Sequence, residues 1–134
     1  MVKAMVVDDH PFIRASVTML LQQENIEVIA EADNGADAVQ RAREHAPDLI
    51  ILDIAMPRLD GLQVISRIMA DQPKCKIVVL TSQSPIFYAM RSMKAGAAGY
   101  ISKNDDLDEL VRAIKAVLSD YTFFPNLATS SVRR

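Results

Sequence analysis

The chain has 134 residues, with 15 basic and 17 acidic side chains, and half of its residues are hydrophobic. This length and composition fit one globular domain and leave no room for two full domains. The formal net charge of −2 provides no general basic surface, which argues against nucleic-acid binding by this segment.

The cysteine content and the hydropathy exclude further classes. Cys75 is the single cysteine and forms no internal disulfide, which argues against a disulfide-built secreted scaffold. The longest apolar runs, such as 49–52 and 77–80, are far shorter than the roughly 20 residues that span a bilayer. The first apolar stretch ends at Asp8 and Asp9, so we expect no signal peptide. We therefore expect a cytoplasmic protein without a membrane partner.

The first half of the chain predicts two strands, each followed by a helix. A β-branched run at 4–7 predicts the first strand. Pro11 then begins an amphipathic segment, because proline is favoured in the first turn of a helix. Residues 28–30 predict the second strand, and the turn signal at 33–35 precedes the second helix.

The second half of the chain continues this alternation. Short apolar runs predict three further strands, at 49–52, 77–80 and 99–101. A helix follows Asp60 and Gly61, and a weaker helix follows Pro85. The last helix has the clearest apolar spacing, and Asp106 and Glu109 resemble a capping box at its start.

The predicted strands are apolar along their whole length, as in parallel sheets that helices cover on both faces. Right-handed crossover connections leave few topologies for such strands. We therefore predict an α/β fold, a doubly wound flavodoxin-like sandwich of five βα units with a parallel sheet in the order 2-1-3-4-5. In this fold a ligand lies beyond the carboxyl ends of the strands, near strands 1 and 3.

Polar side chains follow four of the predicted strands. Asp8 and Asp9 follow the first strand, Asp53 the third, Thr81 the fourth and Lys103 the fifth. Three crowded carboxylates repel one another unless a cation lies between them or protons are taken up. Oxygen ligands favour Mg²⁺ over zinc. With a lysine and a hydroxyl nearby, such a site suits a phosphoryl group, and Asp53 is the best-placed nucleophile.

Each of these residues also has an ordinary structural interpretation. Either aspartate after the first strand could cap the following helix. Asp53 and Thr81 could be turn residues, and Lys103 could be a solvated surface charge. Their joint placement at the strand ends favours the phosphoryl site. We interpret His10, which precedes a helix-starting proline, as structural or solvent-facing rather than catalytic.

Five motifs then occur in order along the chain: VVDDHP, DIAMPRLDG, LTS, AGAAGY and Lys103. With these motifs, residues 2–119 resemble the receiver domain of response regulators in bacterial two-component signalling. The DDHP start and Asn104 in the place of a proline are similar to the NarL/FixJ subfamily, whose receivers precede a LuxR-type helix-turn-helix domain. The stretch 116–125 is most similar to the BvgA/EvgA branch.

The resemblance implies a role for each residue at the strand ends. Asp53 would accept a phosphoryl group from the phosphohistidine of a sensor kinase or phosphotransfer domain. Asp9, Asp53 and the backbone carbonyl of Ala55 would bind Mg²⁺, and Asp8 would assist through a water. Since Asn104 replaces the proline of many receivers, no cis peptide bond is predicted there.

The resemblance also implies a switch. Thr81 and Lys103 would contact the phosphoryl oxygens, and Tyr100 would be the aromatic residue that turns inward when Thr81 moves to the phosphate. Tyr100 could instead be an ordinary strand aromatic. Ala55 and Gln83, two residues beyond Asp53 and Thr81, would tune the lifetime of the phosphoryl group.

The organisation that follows is a receiver domain at 1–119 and the start of a linker at 120–134. We expect a phosphoacceptor signalling domain rather than an enzyme. This domain would form a homodimer on phosphorylation and would reach DNA only through a C-terminal domain absent from this chain. A stand-alone receiver that acts by protein–protein contacts is the alternative.

Two unrelated functions fit the pattern less well. A Mg²⁺-dependent phosphatase of the haloacid-dehalogenase type needs a second acid two residues after its nucleophile, where this chain has Ala55. An FMN carrier needs a Ser/Thr-rich phosphate loop after the first strand, where Asp8 and Asp9 would repel a phosphate.

Overall fold

Five strands and five helices alternate along residues 1–126, the part of the chain that the computed structural model describes. The strands are β1 (Lys3–Val7), β2 (Glu27–Ala32), β3 (Leu49–Leu52), β4 (Lys76–Thr81) and β5 (Gly99–Ser102). The helices are α1 (Pro11–Gln23), α2 (Gly35–His45), α3 (Gly61–Asp71), α4 (Pro85–Ala95) and α5 (Leu107–Leu118). The predicted order of elements is confirmed.

The strands form one parallel sheet in the order β2-β1-β3-β4-β5, which confirms the predicted doubly wound topology. β3 has the predicted bounds, whereas the other strands extend beyond their apolar runs because backbone pairing continues there. Thr81, for example, pairs with Ser102. The order places β2 and β5 at the two edges of the sheet.

Two apolar layers cover the sheet, one on each face. Alternate side chains of β3 point to opposite faces, so Ile50 and Leu52 pack in one layer and Leu49 and Ile51 in the other. Helices α2, α3 and α4 contribute to the first layer, and α1 and α5 contribute to the second. This arrangement buries both faces of the central strands.

Side chains at the helix starts fix where the connecting loops end. Pro11 occupies the first turn of α1, as predicted. The side chain of Asp60 accepts hydrogen bonds from the first turn of α3, and Asp106 accepts one from the N–H of Glu109 at the start of α5. These caps satisfy backbone N–H groups that have no partner within the helix.

The residues after α5 return to the edge strand β5. Phe123 forms an isolated parallel bridge with Gly99. The ring of Phe123 packs against the layer of α1 and α5, and the ring of Phe124 packs against the layer of α2, α3 and α4. We call residues 120–124 the C-terminal strap. Residues 127–134 of the predicted linker lie outside the described residues.

Within residues 1–126, every helix is too short or too polar to traverse a lipid bilayer.

Candidate functional site

The polar residues of the four strand ends meet at one edge of the sheet. The backbone hydrogen-bond ladder continues one residue past the strands, so that the N–H of Asp53 donates to the carbonyl of Val7 at 2.9 Å. The N–H of Lys103 donates to the carbonyl of Thr81 at 2.8 Å. This continued pairing positions Asp53 beside the end of β1 and Lys103 beside the end of β4.

Lys103 joins two of the carboxylates. Its Nζ lies 2.9 Å from Asp8 Oδ2 and 2.9 Å from Asp53 Oδ2. Burial alone would lower the pKa of Lys103, but the hydrogen bonds to Asp8 and Asp53 and the charges of both carboxylates raise it above its usual value. The lysine is therefore a cation at neutral pH and offsets part of the negative charge of the site.

The second oxygen of each buried carboxylate is also engaged. Asp53 Oδ1 accepts a hydrogen bond from the N–H of Ala55 at 2.9 Å. Asp8 Oδ1 lies 2.9 Å from the backbone nitrogen of His10 and 3.0 Å from its Nδ1. The interpretation of His10 from the sequence did not foresee this contact, since no pattern marks a solvent-facing ring that also reaches a buried carboxylate.

Asp9 completes the cluster and differs from its neighbours. Asp9 Oδ1 is a buried atom that has no hydrogen-bond partner among residues 1–126. His10 Nδ1 lies 3.1 Å from this oxygen, yet its hydrogen bond goes to Asp8. A buried carboxylate oxygen without a partner is costly, and a cation would satisfy it.

The donor set fits a hard divalent cation. Ligand atoms of Asp8, Asp9, His10 and Asp53 lie within 4.8 Å of one another. The carboxylate oxygens match the preference of Mg²⁺, which binds one or two carboxylates and retains several waters for a phosphate to replace. Asp9 Oδ1 accepts no hydrogen bond among residues 1–126 and has only the contact with His10 Nδ1 at 3.1 Å, which makes it the best candidate among these ligands.

Thr81 and Tyr100 lie beside the carboxylates and are joined through Gln83. Thr81 is fully buried, and its Oγ1 accepts a hydrogen bond from the N–H of Gln83 at 3.3 Å. The hydroxyl of Tyr100 donates to the carbonyl of Gln83 at 2.8 Å. Burial raises the pKa of Tyr100 to about 12, so its hydroxyl remains a donor at neutral pH.

Tyr100 is only 1% exposed. Its side chain therefore points inward. By the family resemblance, this is the position of the aromatic residue when Thr81 contacts a phosphoryl group. The sequence identified Tyr100 as a switch candidate but did not predict that its hydroxyl would bond the Gln83 carbonyl. Every residue type has a backbone carbonyl, so such an acceptor cannot be recognised from the sequence.

Two further residues shape the site: no sequence pattern marks Arg14, and the sequence indicates Gly61 only as a turn residue and part of a motif. The guanidinium of Arg14 donates to the backbone carbonyl of Asp8 at 2.7 Å and so fixes the loop after β1. A Cβ on Gly61 would lie 2.5 Å from Ile54 Cβ. Only glycine therefore allows the start of α3 to approach the segment that follows Asp53.

Comparison with known proteins identifies the family of the chain. Residues 4–115 match the response regulator receiver domain family. The chain is 44% identical to BvgA of Bordetella pertussis, named as a transcription regulator of virulence factors, in a match that covers 98% of this chain and 63% of BvgA. It is 38% identical to the response regulator GacA of Pseudomonas aeruginosa, over 96% of this chain and 61% of GacA.

Solved structures share the fold. A LuxR-family two-component response regulator from Aurantimonas superposes with a TM-score of 0.88 at 31% identity, over 95% of this chain and 92% of that one. The receiver domain of NarL from Mycobacterium tuberculosis gives a TM-score of 0.81 at 29% identity, over 88% of this chain and 96% of that one.

This chain spans 63% of the length of BvgA, so the match concerns the receiver portion of such regulators. Three findings point to the same family: the acidic edge of the sheet, the order of its strands and the similarity to these relatives. The chain belongs to the response-regulator receiver family, in the NarL/FixJ subfamily and close to BvgA.

Proposed function

We propose that Asp53 accepts a phosphoryl group from the phosphohistidine of a sensor kinase or phosphotransfer domain. The observation that carries this proposal is the environment of its carboxylate, which is buried, hydrogen-bonded to Lys103 Nζ at 2.9 Å and within 4.8 Å of a carboxylate oxygen of Asp9. In the transfer an Asp53 oxygen forms a bond to phosphorus. The phosphorus–nitrogen bond breaks, and its electron pair goes to the imidazole of the donor.

Asp9, Asp53 and the carbonyl of Ala55 would hold Mg²⁺, with Asp8 assisting through a water. When bound, the ion supplies positive charge that stabilises the phosphoryl oxygens. The residues of the chain do the remaining work. The N–H of Ala55 fixes one oxygen of Asp53, and Lys103 holds the carboxylates of Asp8 and Asp53 in place and offsets their charge.

Thr81 and Lys103 would then hold the transferred group. Thr81 Oγ1 accepts from Gln83 in the structure, which leaves its hydroxyl hydrogen available for a phosphoryl oxygen. Lys103 could exchange one carboxylate contact for a phosphoryl contact without leaving the site. Charge-assisted hydrogen bonds of this kind are stronger than neutral ones.

Phosphorylation would shift the population of two conformations. It adds a charge of about −1.5 to −2 at one edge of the sheet. A change from 1:99 to 99:1 requires about 5.5 kcal/mol of differential stabilisation, which a few charge-assisted contacts can supply. Tyr100 and the surface of α4, β5 and α5 would carry the change.

A homodimer is the proposed readout, and α4 offers an apolar surface for it. Three apolar side chains of this helix are exposed: Ile86 (73%), Phe87 (63%) and Met90 (54%). Contiguous exposed apolar side chains mark interaction sites. Dimerisation would pair two C-terminal helix-turn-helix domains on two DNA half-sites. In this proposal 1–119 is the receiver and 120–134 starts the linker to that domain, which the greater length of BvgA and GacA supports.

The proposal further assigns the chain a signalling role in the cytoplasm rather than turnover of a substrate. Incubation with acetyl phosphate, with and without Mg²⁺, tests its core by intact mass. We expect a Mg²⁺-dependent gain of one phosphoryl group that Asp53→Asn abolishes. Asp60→Asn is the matched control, because an asparagine at this position would still cap α3 and the variant should be labelled normally. Labelling that persists in Asp53→Asn would refute the assignment.

A further inference from the structure

The C-terminal strap is bound to the backbone of β5. The N–H of Phe123 donates to the carbonyl of Ala98, and the N–H of Tyr100 donates to the carbonyl of Phe123, both at 2.9 Å. The rings of Phe123 and Phe124 pack on opposite faces of the sheet. The strap therefore holds the edge strand from both sides through a small number of contacts.

Tyr100 links this strap to the site. Its hydroxyl donates to the carbonyl of Gln83 at 2.8 Å, and the N–H of Gln83 donates to Thr81 Oγ1 at 3.3 Å. Hydrogen bonds thus run from Thr81 through Gln83 and Tyr100 to Phe123. Because Tyr100 uses its side chain toward the site and its N–H toward the strap, displacement of this residue disturbs both contacts.

We propose that the C-terminal strap reports the state of the phosphoryl site: it docks on β5 when Tyr100 lies inward on Gln83, and it is released when Tyr100 leaves that position. The inference rests on the proposed role of Asp53 as phosphoacceptor. Because the family resemblance associates an inward aromatic with Thr81 at a phosphoryl group, we expect phosphorylation to tighten the strap. By linkage, a docked strap strengthens phosphoryl binding by the same factor.

The strap has the weak anchoring that such a two-state element needs. Two backbone hydrogen bonds and two half-buried rings hold it to the sheet, and the N–H groups of Asp120 and Tyr121 donate to carbonyls at the end of α5. Asp120 at its start has a φ of 68°, which is uncommon for a residue other than glycine. The ion pair of Asp120 with Lys76 contributes little, because the Asp120 side chain is 84% exposed. Local release of such a segment costs far less free energy than unfolding of the domain.

Release would change the reach of the chain that follows. With the strap docked, the chain is fixed to the sheet through Phe123 and Phe124. With the strap released from β5, the last fixed residue is Tyr121, whose N–H donates to the carbonyl of Ala116 at the end of α5, and residues 122–124 can extend by about 10 Å. The strap thereby sets the tether length of the segment that follows the receiver.

The first test removes the hydroxyl of Tyr100 and keeps its ring. In Tyr100→Phe we expect the Phe123 amide to exchange with solvent roughly two- to tenfold faster, as loss of one hydrogen bond implies, measured by NMR hydrogen exchange. Tyr88→Phe on α4 is the matched control, since it makes the same chemical change near Tyr100 without removing any of the hydrogen bonds from Thr81 to Phe123, and it should leave the Phe123 rate unchanged.

The exchange of a core amide separates local from global effects. The amide of Ile65, in the buried part of α3, should exchange at the same rate in Tyr100→Phe as in the wild type. An unchanged Phe123 rate in Tyr100→Phe would overturn the inference. Equal acceleration at Ile65 and Phe123 would overturn it as well, because the strap would then open only when the domain unfolds.

The second test occupies the site with beryllofluoride and Mg²⁺ as a phosphoryl mimic. We expect exchange of the Phe123 amide to slow by at least about twofold in the wild type. Gly99→Ala should bind beryllofluoride at least about twofold more weakly, because its Cβ would lie 3.3 Å from the Phe123 carbonyl oxygen and push the strap outward.

Intact mass after acetyl phosphate treatment distinguishes the two possible failures. A phosphorylated wild type with unchanged Phe123 exchange would overturn the strap inference and leave Asp53 as the phosphoacceptor. A protein that gains no phosphoryl group would refute the proposed function, and the Tyr100→Phe comparison would still decide whether the strap is coupled to Tyr100.

Discussion

Lys103 Nζ lies 2.9 Å from Asp53 Oδ2, in a site where the Asp53 side chain is 2% exposed and the Lys103 side chain 15%. The same ammonium group also contacts Asp8 at 2.9 Å. One cation thus compensates two carboxylates that would otherwise face each other out of contact with bulk water. This relationship ties the stability of the domain to its proposed chemistry.

Lys103→Met keeps most of the side-chain length and removes the charge. We expect it to lower the free energy of unfolding by about 1–3 kcal/mol, because two close carboxylates lose their partner in a site that solvent only partly screens. Urea denaturation followed by circular dichroism measures the change. Lys115→Met is the control: that side chain is 72% exposed, so its removal should cost less than about 0.5 kcal/mol. Equal stability of the two variants would contradict this account of Lys103.

The same contact predicts a dependence on alkaline pH. The folded chain raises the pKa of Lys103 above the usual 10.5, so its contribution to stability is complete below that pH and is lost as the pH rises through the folded pKa. We expect the difference in unfolding free energy between wild type and Lys103→Met to be constant up to about pH 9 and to shrink above about pH 10.5. A difference that is still undiminished at about pH 12 would be inconsistent with this linkage.

Asp9→Asn should weaken Mg²⁺ binding. Asp9 Oδ1 is buried without a hydrogen-bond partner among the described residues, and loss of its charge removes a ligand that a hard cation favours. We expect the dissociation constant from calorimetric titration to rise at least roughly tenfold. Asp33→Asn, which removes an exposed carboxylate just past β2, should leave it unchanged; equal weakening in both variants would point to a general charge effect.

Cys75 provides a test of the packing at the opposite end of the strands. Burial, followed by the charge of Asp48, raises the pKa of its thiol from 9.0 to about 12. The thiolate fraction at about pH 8 is therefore lower by roughly a thousandfold than in the unfolded chain. Iodoacetamide should alkylate the native protein correspondingly slowly and the urea-unfolded protein rapidly. Similar rates in both states would show that Cys75 is accessible.

The sequence was most informative where burial governs structure. The four apolar residues of β3 are buried on both faces, so the run and the strand coincide. β2 extends past its predicted bounds because Glu27 and Glu31 pair through their backbones with β1. Backbone pairing of an edge strand imposes no apolar pattern on outward side chains.

The candidate site divides in the same way. Topology and strand ends were enough to bring Asp8, Asp53 and Lys103 together, because parallel strands deliver their carboxyl ends to one edge. The contacts made through backbone atoms, such as Gln83 with Tyr100, had no sequence signal. The pairing of Phe123 with Gly99 also had none, since a single bridge between backbone groups imposes no pattern on residue type.

Direct localisation of the phosphoryl group tests the central claim. Borohydride reduces an aspartyl phosphate to homoserine but leaves free carboxylates and phosphohistidine unreduced, so tandem mass spectrometry of the reduced protein identifies the acceptor. After treatment with acetyl phosphate and Mg²⁺, the account predicts homoserine in place of Asp53 and of no other aspartate. Homoserine in place of Asp8 or Asp9, or a stable phosphoryl group on His10, would contradict it.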